Sequence, residues 1–170
     1  VRAVPGAVGG RRALVALAAG RPVALVRGVG VATVPVAGED LNAFYDRRAI
    51  RFFRGRNPET DTLVHSGESP DIVAHEQGHA VLDAIRPDLW DAPHFEVAAF
   101  HEAFGDMASI GIAFAEPAVL QAVLNETGGA LQESNLVSRV AEELAAAARA
   151  RFGPGVALPE ALRDAVNTFT

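Results

Sequence analysis

The stretch DIVAHEQGHAVLDAI, residues 71–85, places two histidines, a glutamate and an aspartate within about three turns of otherwise apolar helix. His75 and His79 are four apart, so on a helix of about 3.6 residues per turn they stack on one face, close enough for both imidazoles to hold one ion. Glu76 stands about 100° further round and can reach a water on that ion without binding the ion itself. This is the HExxH spacing, in which imidazoles bind zinc and the carboxylate serves as general base. The plain alternative is a pair of core histidines with satisfied hydrogen bonds. Three fixed positions arise by chance in on the order of one in a few hundred chains of this length, so the motif needs support from elsewhere in the sequence.

Catalytic zinc takes three protein ligands and keeps one position for water, so a third ligand must come from a neighbouring element. AFHEAFGDMASI offers Glu102 and Asp106, again four apart and on one helical face. Glu102 can be the third ligand, while Asp106 can accept the free ring N–H of a zinc histidine and fix its tautomer. The intervening residues suffice for one helix to end, turn at RPDLWDAP and return antiparallel.

HEQGH followed by HEAFGD resembles the thermolysin-like zinc peptidases, the gluzincins, in which HExxH on one helix is completed by ExxxD on the next. Upstream, Asn42-Ala43-Phe44-Tyr45 is similar to that family's Asn-Ala-aromatic edge strand, which pairs with the substrate backbone. The likeness spans residues 42–106. It implies a zincin-like fold, one Zn²⁺ held by His75, His79 and Glu102, Glu76 as general base and proton shuttle, and Asp106 supporting a ligand. It also implies that Asn42 and Ala43 hold the substrate main chain, that Ile72 walls a side-chain pocket, and that His101 supports the ligand glutamate without binding metal. Asp83 is either a support for the ligands or a helix-surface charge.

The sequence also departs from the family. The relatives stabilise the tetrahedral oxyanion with a tyrosine between the two helices and a later histidine, whereas Tyr45, the one tyrosine here, lies upstream and no histidine follows His101. His94 falls near the loop tyrosine's place and is the candidate oxyanion donor, against the reading of an exposed loop histidine. The acidic cluster of the family's calcium site has no counterpart after Asp106, so calcium is not implied.

The elements must position these groups in a chain of 170 residues with 49% hydrophobic composition, enough for one compact core. A formal charge of −6 argues against a nucleic-acid surface. No apolar run reaches the length of a membrane span, so the expectation is a soluble chain, secreted or cytoplasmic, without a convincing signal peptide. The absence of cysteine excludes disulfides and thiolate ligands. RRAIRFFRGR carries five arginines in ten residues, read as decoration of a strand and hairpin edge or as an anion-binding patch.

The expected class is α+β: a β-rich region over residues 1–68 packed on a central HExxH helix, and a helical part over 69–170 carrying the zinc site, in a single catalytic region or a fragment of one. RRALVALAAG reads as a strand or short helix, PVALVRGVGVATVPV as strand broken at Gly28 and Gly30, and NAFYDRRAIRFF as two strands around a turn at 46–48. Residues 54–70 read largely as loop. A helix runs from Pro70 to Ile85, with Ser69 as cap and a stop before Pro87. A second, from 95 to 115, is apolar on more than one face, as in a buried central helix, and PAVLQAVLNET, SNLVSRVAEELAAAARARF and LPEALRDAVNTF read as helical.

These readings converge on a zinc-dependent peptidase, an endopeptidase acting on peptide or protein substrates. Two alternatives stay open: a zinc-binding relative or incomplete fragment with little activity, and a non-enzymatic helical interaction module.

Overall fold

The computed structural model describes residues 14–18, 21–26 and 29–166. Strands β1 (Leu14–Ala18), β2 (Arg21–Val26) and β3 (Val29–Val34) form two successive antiparallel pairs. The remainder of RRALVALAAG, and Gly28, lie outside the described residues, and β3 runs through Gly30 rather than breaking there. β4 (Ala43–Tyr45) and β5 (Ala49–Phe52) complete a five-stranded sheet of order β1-β2-β3-β5-β4. β5 lies parallel to β3, and β4 folds back antiparallel with Tyr45 opposite Ile50, which leaves β4 at the edge of the sheet. The turn between them is held by Asp46, whose Oδ1 accepts the N–H groups of Arg48 and Ala49 at 2.9 and 2.7 Å.

The stretch expected to be mostly loop instead carries a small hairpin of β6 (Arg54–Arg56) and β7 (Leu63–His65), closed at its tip by Asn57 Oδ1 accepting from Glu59 N–H. The arginines here are neutralised by neighbours: Arg47 pairs with Asp83 and Asp91, Arg51 with Asp46, Arg54 with Glu39 and Arg56 with Asp61. Four of the five thus have carboxylate partners, which disfavours an anion-binding patch.

Helix α1 spans Pro70–Ile85. Pro70 begins it, where a missing N–H costs nothing, and Arg86, the residue before Pro87, ends it. Ser69 occupies the N-cap position without making a side-chain cap; its hydroxyl is drawn to the Asp71 carboxylate. The helix is buried on nearly every face, taking in Ile72, Val73, Ala80 and Leu82 together with His75, Glu76, Gln77 and Asp83. Its apolar residues join Tyr45, Ile50 and Phe52 of the sheet and Val140, Ala141 and Leu144 of the later chain in one core.

Helix α2 (Phe95–Phe114) packs along α1 through His101, Gly105 and Ser109, a stripe with a spacing of four. It is not buried all round: Phe95, Phe100 and Met107 remain 84%, 46% and 58% exposed, because the small residues of the stripe face α1 and the larger ones lie elsewhere on the helix. Helix α3 (Pro117–Thr127) follows at 99°, and no single helix among the described residues is long and apolar enough to cross a membrane.

The last helix, α4, covers Glu142–Phe152 and is shorter than expected. Asn135 turns the preceding residues away from helical geometry by accepting the N–H groups of Val137 and Ser138 on its side chain. Of LPEALRDAVNTF, the described part, residues 158–166, is not a helix, and the rest lies outside the described residues. Arg163–Asp164 form β9, paired antiparallel with β8 (Arg139–Val140), with Leu162 N–H donating to Val140 C=O at 2.8 Å. The result is an α+β arrangement in which the edge strand, α1, α2 and the β8–β9 pair meet around one cleft.

Candidate metal centre and cleft

The imidazoles of His75 and His79 stand edge to face with centroids 4.7 Å apart, as the one-turn spacing on α1 requires. From α2, Glu102 directs one oxygen at each: Oε2 lies 3.4 Å from His75 Nε2 and Oε1 lies 3.6 Å from His79 Nε2. One turn further along α2, Asp106 Oδ1 accepts from His75 Nδ1 at 2.8 Å. That bond orients the His75 ring with Nε2 facing Glu102.

His75, Glu76 and His79 offer ligand atoms within 4.8 Å of one another, so the group could hold a metal ion. Glu76 Oε2 is buried without a protein hydrogen-bond partner, the condition expected of a group meant for a water or an ion. The donor set of imidazoles and carboxylates suits zinc.

Electrostatics separate the five groups. Burial pulls the His75 imidazole down, but hydrogen bonds to Asp106 and Glu102 outweigh it and raise its pKa to about 9. Burial, reinforced by the His75 charge, takes His79 down to about 4. Burial lifts the Glu76 carboxyl to about 7, against the attraction of His75. The hydrogen bond with His75 depresses Glu102 to about 2 despite its burial. Asp106 also lies below the usual carboxylate range: burial opposes this, and bonding to His75 and the charge of Arg163 prevail. His75 therefore keeps its proton between two anionic carboxylates, while burial holds Glu76 near neutrality.

His75, Glu76, His79 and Glu102 line a cleft of about 500 Å³. Asn42, Ala43 and Ile72 border it, as does His101, which is buried and lies between His79 (ring centroids 5.8 Å) and Trp90 (5.6 Å). Asn42 Oδ1 accepts Ala43 N–H at 2.8 Å, which leaves its amide N–H groups available. Two candidates lie elsewhere. His94 is exposed at the N-cap of α2, where its carbonyl accepts from Val97 and Ala98, and it does not line the cleft. Asp83 touches neither imidazole of the pair; it is buried and takes bonds from Tyr45 and Arg47.

Three participants were not anticipated from the sequence. Arg163 reaches Glu102 Oε2 at 3.0 Å and Asp106 Oδ1 at 2.8 Å, and its Nη2 lies 3.3 Å from His75 Nδ1. Its segment reads as helical, so nothing local marked it. Trp90 forms part of the cleft wall, and its only signal was being the one tryptophan, set in the loop between α1 and α2. Gly105 could have been noticed as a glycine inside a helix, a position that usually has a packing reason. Comparison of the chain with known protein families, curated proteins and solved structures finds no match.

Proposed function

We propose that this chain is a zincin-like catalytic region of a zinc-dependent peptidase, with His75, His79 and Glu102 holding the metal and Glu76 as the general base. The observation that carries this reading is the Glu102 carboxylate, set between the two Nε2 atoms in the cleft that Glu76, with its buried, unpartnered oxygen, also lines. Zinc bound there would supply a Lewis acid and lower the pKa of its water toward about 7.

The chain's own residues supply the rest. Glu76, buried next to His75 on α1, accepts a proton from the attacking water and returns it to the leaving amine. The exposed side of β4 offers an extended peptide a strand to lie against, with the Asn42 amide at one end. Ile72, Val140, Leu144 and Leu162 give the cleft apolar surface, which suits aliphatic or aromatic substrate side chains. Asp106 and Arg163 hold His75 and Glu102 in position.

A second reading, a metal site with little turnover, draws on one observation. Tyr45 commits its hydroxyl to Asp83, and Arg163 commits both Nη atoms to carboxylates, so Trp90, His101 and Asn42 are left as side-chain donors for an oxyanion among the described cleft residues. One experiment separates the two. The chain is stripped with chelator, reloaded with zinc and assayed for metal content and cleavage of fluorescent casein, beside Glu76→Gln. A peptidase binds one zinc per chain and loses at least about 100-fold in rate in the variant while keeping the metal. Full zinc without cleavage supports the second reading; no zinc overturns both.

A further inference from the structure

Asp83 lies on α1 one turn beyond His79 and seven residues beyond Glu76, on the face that meets the edge strand. Its carboxylate is buried, with side-chain exposure of 12%, and would be costly there without partners. Two partners come from the segment that borders the cleft. Tyr45, the last residue of β4, donates its hydroxyl to Oδ2 at 3.1 Å. Arg47, in the following turn, donates Nε to Oδ2 at 3.3 Å, and its Nη2 makes an ion-pair contact with Oδ1 at 2.9 Å.

Arg47 does this from a left-handed backbone, φ 67°, that an arginine adopts only where its surroundings hold it. The same guanidinium lies 5.7 Å from the Trp90 ring centroid and reaches Asp91 at 3.3 Å, so it also engages the loop after α1. Trp90 meets Tyr45 edge to face at 5.4 Å and His101 at 5.6 Å, both of them cleft residues. One carboxylate thus ties together two separate segments of cleft wall, β4 and the Trp90 loop.

We propose that Asp83 is a positioning residue that, through Tyr45 and Arg47, fixes the edge strand and Trp90 as one rigid lip of the cleft. Taking a peptide as what the lip receives rests on the peptidase reading above. The clamp itself does not. A lip that is held in advance spares a bound peptide the cost of ordering β4 and Trp90, so loosening it weakens substrate binding more than the chemical step.

Trp90 is the only tryptophan, so its emission reports the clamp whether or not the chain cleaves anything. The zinc-loaded chain is compared with Asp83→Asn, which keeps the shape and leaves Arg47 only its exposed pair with Asp91, and with Tyr45→Phe, which removes one hydroxyl. Acrylamide quenching of Trp90 should rise about twofold in Asp83→Asn, with zinc content unchanged. KM for fluorescent casein should rise about tenfold, with kcat kept within about twofold. Tyr45→Phe should shift both in the same direction by less, and it decides the matter if Asp83→Asn does not fold. Unchanged quenching in a folded variant overturns the clamp, as does a fall in kcat at constant KM. If the wild-type chain cleaves no casein, the peptidase reading fails and the clamp stands or falls on the quenching alone.

Discussion

Gly78 of α1 and Gly105 of α2 meet backbone to backbone: a Cβ on Gly78 would stand 2.9 Å from Gly105 Cα, and one on Gly105 would stand 2.7 Å from His75 Cε1 and Nδ1. The helices approach this closely because neither residue has a side chain, and the approach is what brings Glu102 and Asp106, on either side of Gly105, to the His75 ring.

Gly105→Ala should therefore damage the metal centre. The imidazole cannot give way without losing its bond to Asp106, so the added methyl acts as overpacking and should cost about 1 to 3 kcal/mol of stability. Zinc affinity should fall as well. Gly111→Ala, on the same helix with nothing within 4 Å of the new Cβ, should instead be neutral or stabilising by up to about 1 kcal/mol. Thermal melts and zinc titrations of the two variants check this, and equal behaviour would refute the packing role of Gly105.

The proton on His75 makes the metal-free chain sensitive to alkali. Its pKa in the folded chain, about 9, lies above the ordinary 6.5, so the folded state binds more protons between these values and stability falls as pH rises. The contribution is fully present below pH 6.5 and is lost as pH passes through about 9; it amounts to on the order of 3 kcal/mol. Glu76, raised to about 7, loses its share earlier, between pH 4.5 and 7, in the same direction. His79, lowered to about 4, acts in the opposite direction, its share being lost as pH falls from 6.5 to 4. The alkaline window is thus left to His75. Melting temperature in chelator should decline from pH 7.5 to 9.5, and Asp106→Asn, which removes the bond that holds the proton, should flatten the decline. Zinc binding at pH 7.5 should release about one proton, read by calorimetry in two buffers, and should weaken about 10 to 100-fold in Asp106→Asn.

Asp71 ties the start of α1 to the start of α4. Its Oδ2 accepts Ala141 N–H at 2.5 Å, and Ala141 is held in the left-handed region at φ 59°. Asp71→Ala should cost about 1.5 to 3 kcal/mol, the range for a hydrogen bond to a charged group, and should lower the melting temperature by about 3 to 10 °C. Asp61→Asn, which removes the charge of an exposed pair with Arg56 and keeps a residue type suited to the left-handed φ of 57°, should change stability by less than about 1 kcal/mol. Similar melting temperatures for the two variants would show that the Asp71 tie contributes little.

What could be read from the sequence is what short-range physics controls. The Ser69-Pro70 start and the stop before Pro87 bound α1 to the residue, because proline acts on its immediate neighbours. The i, i+4 pairs His75 and His79, and Glu102 and Asp106, share helical faces by geometry alone, and the turn at Asp46 follows from a side chain bonding its own backbone. The tertiary structure decided the rest. LPEALRDAV carries a helical pattern, yet it pairs with β8, and Arg163 meets two carboxylates contributed by α2, 61 and 57 residues earlier. His94 looked placed for the oxyanion but does not line the cleft, while Trp90, four residues earlier, forms the wall. Asp83 could have faced the ligands or the solvent, and the return of β4 over α1 gave it Tyr45 and Arg47. In each case the outcome depends on which distant segment packs against the residue, a contact that local propensity and spacing do not encode.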